Sequence, residues 1–226
     1  MSSHKVEAAL AALRAGSFVV VADDASRENE GDLIIAAEKV TRQALAFMLR
    51  CTSGVVCVAV TEARANALEL PLMVPDNNES QRTAFTVSVD FRYGTSTGIS
   101  AGDRSAAIRG LADPTLGADS FLKPGHVFPL RARRGGVLER RGHTEAAVDL
   151  AVLAGLAPAG ALCELVSPDG DMLRGVELTR FAERHQLPFL HIAELVAYRR
   201  QLERSESLPP RRAEHGLDAG QHDYCG

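Results

Sequence analysis

Apolar and polar positions along this chain fall into short blocks, each long enough for one strand or one helix. Val6, Leu10 and Leu13 share a helical face, which predicts a helix over residues 4–15 that stops at Gly16. The β-branched run at 18–21 predicts a buried strand ending in Asp23 and Asp24. A polar loop then leads to a second strand around Leu33, Ile34 and Ile35. Residues 41–50 suit a helix capped by Thr41, residues 55–60 a strand, and residues 61–70 a helix stopped by Pro71. The Asn-, Pro- and Ser-rich stretch 74–83 reads as loop, and 85–89 alternates as a strand does.

After a Gly/Ser/Thr loop over 93–102, residues 103–111 read as helix, and 116–134 as irregular chain with a short strand at 127–130. Ala146, Ala147, Leu150, Leu153 and Ala154 mark a helix over 144–156. A strand at 161–166, a helix at 176–186, a strand at 189–192 and a helix at 193–203 follow. Strands and helices mix without strict alternation, which predicts an α+β class: a single layered α/β/α domain with a mixed sheet over residues 1–204. Residues 205–226 carry paired prolines and few apolar positions, and read as a flexible tail.

Composition narrows the function classes. At 226 residues and 46% hydrophobic the chain can bury a sizeable core. Its net charge of -4 argues against a nucleic-acid binder, yet leaves room for an anionic substrate held by a few arginines. No apolar run is long enough to span a bilayer, and the N-terminal helix has charges at both ends rather than the apolar centre of a secretion signal. The four cysteines form no CxxC pair. They read as buried reduced thiols of a cytoplasmic protein.

Four places carry candidate chemistry. Between the first two strands, residues 23–32 hold five carboxylates in ten positions. Such a cluster either is a solvated turn or surrounds a hard divalent cation. Arg140, Arg141, Gly142, His143 and Thr144 precede the strongest helix, where free backbone N–H groups and an arginine fork suit a phosphate, or where a basic loop simply caps the helix. His126 follows Pro124-Gly125 beside an apolar run, a position suited to acid–base work or to a structural turn. Glu164 sits inside an apolar strand and needs a partner or a raised pKa.

Taken with their order, these segments resemble one family. Arg27-Glu28-Asn29-Glu30-Gly31-Asp32, Arg82-Thr83-Ala84-Phe85-Thr86-Val87, Ser96-Thr97-Gly98-Ile99-Ser100, Pro124-Gly125-His126-Val127-Phe128-Pro129-Leu130 and Gly142-His143-Thr144-Glu145-Ala146 are similar to the motifs of 3,4-dihydroxy-2-butanone 4-phosphate synthases. The resemblance runs from the first helix to Tyr198. It implies a metal-dependent carbon–carbon lyase of riboflavin biosynthesis that converts D-ribulose 5-phosphate to L-3,4-dihydroxybutan-2-one 4-phosphate and formate. It further implies a cytoplasmic homodimer with active sites at the subunit interface, using magnesium, with manganese as the alternative ion.

By the same resemblance Glu28 and His143 are metal ligands. Arg27, Glu28, Asp32, Arg140, Arg141, Gly142, His143 and Thr144 contact the substrate, and His126 and Glu164 are catalytic. One departure stands out: the family loop commonly has four acids in a row before Arg-Glu-Asn-Glu, whereas Ala25 and Ser26 replace the last two here. A paralogue acting on another sugar phosphate, or a catalytically silent interaction protein of the same fold, are the readings that compete with this one.

Overall fold

The structure is a computed structural model that describes residues 2–207. Among these residues seven strands form one sheet in the order β4-β5-β3-β6-β2-β1-β7. The strands are β1 (Val19–Ala22), β2 (Gly31–Ala36), β3 (Cys57–Val60), β4 (Val89–Phe91), β5 (Phe121–Arg131), β6 (Ala159–Glu164) and β7 (Phe189–His191). β3–β5 and β1–β7 pair in parallel and the other neighbours antiparallel, so the sheet is mixed as the sequence predicts.

The helices are α1 (Ser2–Arg14), α2 (Arg42–Cys51), α3 (Glu62–Ala67), α4 (Ala101–Ala112), α5 (His143–Leu153), α6 (Val176–His185) and α7 (Ile192–Ser207). Val20, Leu33, Ile35 and Cys163 point to one face, against Leu45 and Met48 of α2, Ile108 and Leu111 of α4 and Phe181 of α6. Val19, Val21, Ile34 and Leu162 point to the other, against Leu10 and Leu13 of α1, Leu150 of α5 and Leu195 of α7. Central strands covered on both faces read as unbroken apolar runs, which is why they are easy to see in the sequence. The result is the layered α/β/α domain expected.

Thr41 and Thr61 cap α2 and α3 by accepting the N–H groups of Ala44 and Arg64. Gly16, with φ +73°, ends the first helical segment. Two stretches differ from the sequence reading. Of residues 85–89, Phe85 and Thr86 form only isolated bridges, to Leu130 and Leu72, and the strand proper is β4 at Val89–Phe91. The chain read as irregular over 116–134 contains the longest strand, β5. β5 changes partner halfway: Phe128–Arg131 lie beside β3, whereas Phe121, Leu122 and Val127 pair with β4 across a register shift. Pro124 and Gly125 therefore mark the changeover rather than a turn. A Cβ on Gly125 would lie 2.0 Å from the Val89 carbonyl carbon, so only glycine allows this approach. α7 runs to Ser207, beyond the boundary drawn at 204. The rest of the expected tail, 208–226, lies outside the described residues.

Candidate active site

A cleft of about 210 Å³ opens where the end of β1, the start of β2 and the end of β6 meet the first turn of α5. Arg27, Glu28, Asp32, His143, Thr144 and Glu164 all line it. A wider hollow of about 690 Å³ adjoins it along Leu72–Val74 and Arg131–Arg134, but brings no imidazole to its carboxylates. The smaller cleft is the one that brings His143 together with Glu28, Asp32 and Glu164.

Asp32 opposes Glu164 across the β2–β6 ladder, so both face the same side of the sheet, toward α5. Asp23, just past β1, organises the loop between β1 and β2. One of its oxygens accepts the N–H of Glu28 at 3.0 Å and an Arg27 guanidinium nitrogen at 2.9 Å, and the other accepts the N–H of Glu30 at 2.9 Å. The loop thus wraps around a buried carboxylate and turns Glu28 and Glu30 inward, with Asn29 in the left-handed region at φ +55°. Ser26, one of the two replacements for an acid, donates its hydroxyl and its N–H to Asp24, which holds that carboxyl below its usual range. The substitution closes a local turn in place of adding charge.

His143 is buried and faces this cluster. Its Nε2 lies 3.2 Å from the Val21 carbonyl, which accepts only from an N–H. That contact turns Nδ1 toward Glu28 Oε2 and Asp32 Oδ1, each 3.7 Å away. Burial alone would lower the imidazole pKa, but the Asp32 charge and the Glu28 contact outweigh it and raise it to about 8. Burial pushes Asp32 up to about 7, against the pull of His143 and helped by Glu164, Glu28 and Asp23. The contact with His143 holds Glu28 below its ordinary value. Asp32 Oδ1 is buried and has no hydrogen-bond partner.

A buried carboxylate oxygen with no hydrogen-bond partner beside an imidazole nitrogen fits a cation. Donor atoms of Asp23, Glu28 and His143 lie within 4.8 Å of one another. Both Asp23 oxygens accept hydrogen bonds within the loop, and Glu28 Oε2 accepts one from Arg27 at 2.5 Å, so Asp23, Glu28 and His143 could hold an ion only if some of these bonds yield to it. A mostly oxygen donor set with one imidazole fits magnesium or manganese.

The loop before α5 behaves differently from its individual residues. Gly142, not Thr144, is the N-cap, and no side chain caps the helix. The first-turn N–H groups are therefore available to an anion beside Thr144. Arg140 does not line the cleft. It pairs with buried Glu145 at 2.7 Å and donates to Thr83 Oγ1 at 3.0 Å and the Gln81 carbonyl at 3.2 Å. Arg141 is exposed and near Asp24.

His126 is not in this cleft either. It lies on β5, separated from β6 by β3, hence at least two strand spacings or roughly 10 Å from Glu164. It has its own partners: Asp90 accepts its backbone N–H at 2.9 Å and sits 2.8 Å from Nδ1. The loop at Gly98 closes over the pair, where a Cβ would fall 2.1 Å from Asp90 Oδ2. Asp103 holds that loop by accepting from Ser96 and from the Gly98 N–H.

The comparisons with known proteins agree with one another. Residues 7–198 match the sequence profile of 3,4-dihydroxy-2-butanone 4-phosphate synthase. The chain belongs to the 3,4-dihydroxy-2-butanone 4-phosphate synthase family. It is 52% identical over 214 residues to the synthase of Pelobacter propionicus, covering 95% of this chain and 92% of that one. It is 56% identical over 203 residues to riboflavin biosynthesis protein RibBA of Salinispora arenicola, covering 90% of this chain and 48% of that one. The chain thus spans about half the length of that relative and nearly all of the other. A crystal structure of a family member in complex with two magnesium ions superposes with a TM-score of 0.85 at 47% identity, covering 88% of this chain and 97% of that one. The fold and the enzyme family of riboflavin biosynthesis expected from the motifs are those found.

Some contributors to this arrangement were not visible in the sequence. Asp90 was missed because a single acid in a strand gives no signal until its partner on β5 is known. The sequence leaves Asp23 as one of five acids in either a solvated turn or a cation site, whereas its contacts with the Arg27 side chain and the Glu28 and Glu30 N–H groups make it the frame of the loop. Thr83 was recognised only as part of a motif, and its tie to Arg140 links positions 57 residues apart.

Proposed function

We propose that this chain converts D-ribulose 5-phosphate to L-3,4-dihydroxybutan-2-one 4-phosphate and formate, as a homodimer in the cytoplasm. The observation that carries the reading is the convergence of Glu28, Asp32, His143, Thr144 and Glu164 on one cleft beside an uncapped helix start. Glu28 and His143 would hold magnesium or manganese, and the ion supplies Lewis-acid polarisation of adjacent substrate oxygens. The start of α5, with Thr144, binds the phosphate. Arg27 and Asp32 orient the sugar, and Arg140, Arg141 and Gly142 shape the anion site from behind. Glu164 accepts and returns protons beside the substrate carbonyl.

We assign His126 to the same reaction, although it does not line this cleft in its own chain. In the dimer the Asp90–His126 pair of one copy serves the cleft of the other, Asp90 fixing the imidazole and His126 transferring the proton. No helix among the described residues is long and apolar enough to cross a membrane. The domain over 1–204 suffices for the activity, and residues 205–226 add nothing to it.

The test is purified protein with ribulose 5-phosphate and magnesium, followed by formate and the four-carbon phosphate. Stoichiometric release of both, lost on chelation and restored by magnesium or manganese, is the expected outcome. Formate at the full rate after exhaustive chelation would overturn the metal assignment, and no turnover of ribulose 5-phosphate would overturn the substrate.

A further inference from the structure

Glu164 needs a fixed orientation to move protons, and the strand alone does not supply it. It is the last residue of β6, half-buried, and its side chain could swing away from the cleft. The group that holds it comes from far along the chain. Ser53 lies in the short turn between α2 and β3, just after Thr52, the C-cap of α2. Its hydroxyl lies 2.7 Å from Glu164 Oε2. Its backbone N–H donates to the Glu164 carbonyl at 2.9 Å. The same residue therefore grips both the main chain and the carboxylate of Glu164.

From these contacts we infer that Ser53 is a positioning residue for the reaction, acting through Glu164 by clamping its carboxylate in the cleft. A serine hydroxyl has one proton to give, and Glu164 Oε2 is its short-range acceptor. The other neighbours of Ser53 Oγ are longer: the Val55 N–H at 3.3 Å, which donates to it, and Cys163 Sγ at 3.3 Å. Accepting the Val55 N–H orients the hydroxyl lone pairs toward β3 and leaves its proton for the carboxylate. The turn is held in place independently of this bond. Thr52 donates to the Met48 carbonyl at 2.7 Å and bridges Leu165, and Gly54 adopts φ +81°.

A carboxylate with one oxygen committed to a fixed donor presents its other oxygen in one direction. A free carboxylate samples several orientations, and misplacement by an ångström lowers a proton-transfer rate far more than it lowers binding. Removal of the hydroxyl should therefore affect turnover, while the contacts that bind the sugar phosphate stay intact. A merely structural serine would give the opposite pattern, a lower melting temperature with kcat preserved.

The inference rests on the proposed role of Glu164, so the experiment includes Glu164→Gln as a reference. Steady-state formate release is measured for wild type, Ser53→Ala, Ser53→Thr and Glu164→Gln, each with a melting curve. The expected result is a kcat about tenfold lower for Ser53→Ala, with KM within twofold and melting nearly unchanged. Ser53→Thr, which keeps the hydroxyl, should recover most of the rate. If Glu164→Gln is inactive while Ser53→Ala matches wild type, the clamp is wrong and the role of Glu164 stands. If Ser53→Thr is as slow as Ser53→Ala, the hydroxyl is not what matters and the clamp is again wrong. If Glu164→Gln keeps the wild-type kcat, the reading of Glu164 itself fails first.

Discussion

Two polar clusters lie on this sheet, and they are built on opposite plans. Around His143 the groups are buried and electrostatically incomplete: Asp32 Oδ1 has no partner, and both Asp32 and His143 are pushed up in pKa. Around His126 the hydrogen bonds run to one residue, with Asp90 taking both the backbone N–H and Nδ1, while the side chain stays 43% exposed. The first cluster lines a cleft and holds a buried carboxylate oxygen with no hydrogen-bond partner. The second has an imidazole oriented by Asp90 on an exposed part of β5. The proposed dimer would join the two as halves of one site, and each prediction below probes one half or their joining.

The largest effects should come from removing the proton-transfer groups of either half. Glu164→Gln keeps the shape of the side chain and removes the transferable proton, and His126→Asn does the same in the other cluster. Each should lose on the order of a hundredfold or more in kcat, with substrate binding and melting temperature close to wild type. A kcat within a few fold of wild type for either variant would remove that residue from the chemistry.

Mixing tests the joining directly. If each active site takes Glu164 from one copy and His126 from the other, the two inactive variants can rescue each other. Half of the dimers formed from an equal mixture would be mixed, and each would carry one intact site and one doubly defective site. Activity should return to about a quarter of wild type after subunit exchange. Recovery no greater than the sum of the two variants would mean that both residues act within one chain.

Arg140 separates binding from scaffolding within the first half. Its guanidinium spans Glu145, which is 1% exposed, and the loop at Gln81 and Thr83. Arg140→Ala leaves buried Glu145 without its ion pair, held only by the Arg133 N–H, a loss of about 3 kcal/mol for a broken buried pair. The variant should melt lower and show KM for ribulose 5-phosphate raised roughly tenfold, because the loop beside the anion site is released. A raised KM with unchanged melting would instead make Arg140 a direct phosphate contact.

How much of this was legible follows from how far apart the partners are. Apolar runs such as 19–22 and 159–164, and the cap at Thr41, are local signals, and the layered fold follows from them. The acidic loop and the start of α5 were legible as chemistry because their residues are neighbours in sequence. β5 was not, since the sequence shows Pro124-Gly125 but not the two different strands that flank it. Asp90 with His126 and Ser53 with Glu164 span 36 and 111 residues. No periodicity reports contacts of that range.

The smallest predicted effect concerns pH, and it bears only on the half around His143. In the metal-free protein the His143 pKa is raised to about 8, above its ordinary value of 6.5, by Asp32 and Glu28. The protonated imidazole is therefore a stabilising partner of those carboxylates, fully present below pH 6.5 and lost as pH rises through 8. Asp32, raised to about 7 chiefly by burial, works in the same direction, since the folded state holds its proton longer than the unfolded chain does. The metal-free protein should thus lose stability as pH rises from about 4 to about 8, the Asp32 part below 7 and the His143 part between 6.5 and 8. A divalent ion replaces the proton, because Nδ1 must be deprotonated to act as a ligand. Affinity for magnesium or manganese should then rise about tenfold from pH 7 to pH 9, as the proton competing at a pKa near 8 is removed. Calorimetric titration of the metal-free protein across that range, beside melting curves with and without the ion, measures both slopes. A metal affinity independent of pH would mean that His143 is not a ligand, and would leave the orphaned Asp32 oxygen to another cation.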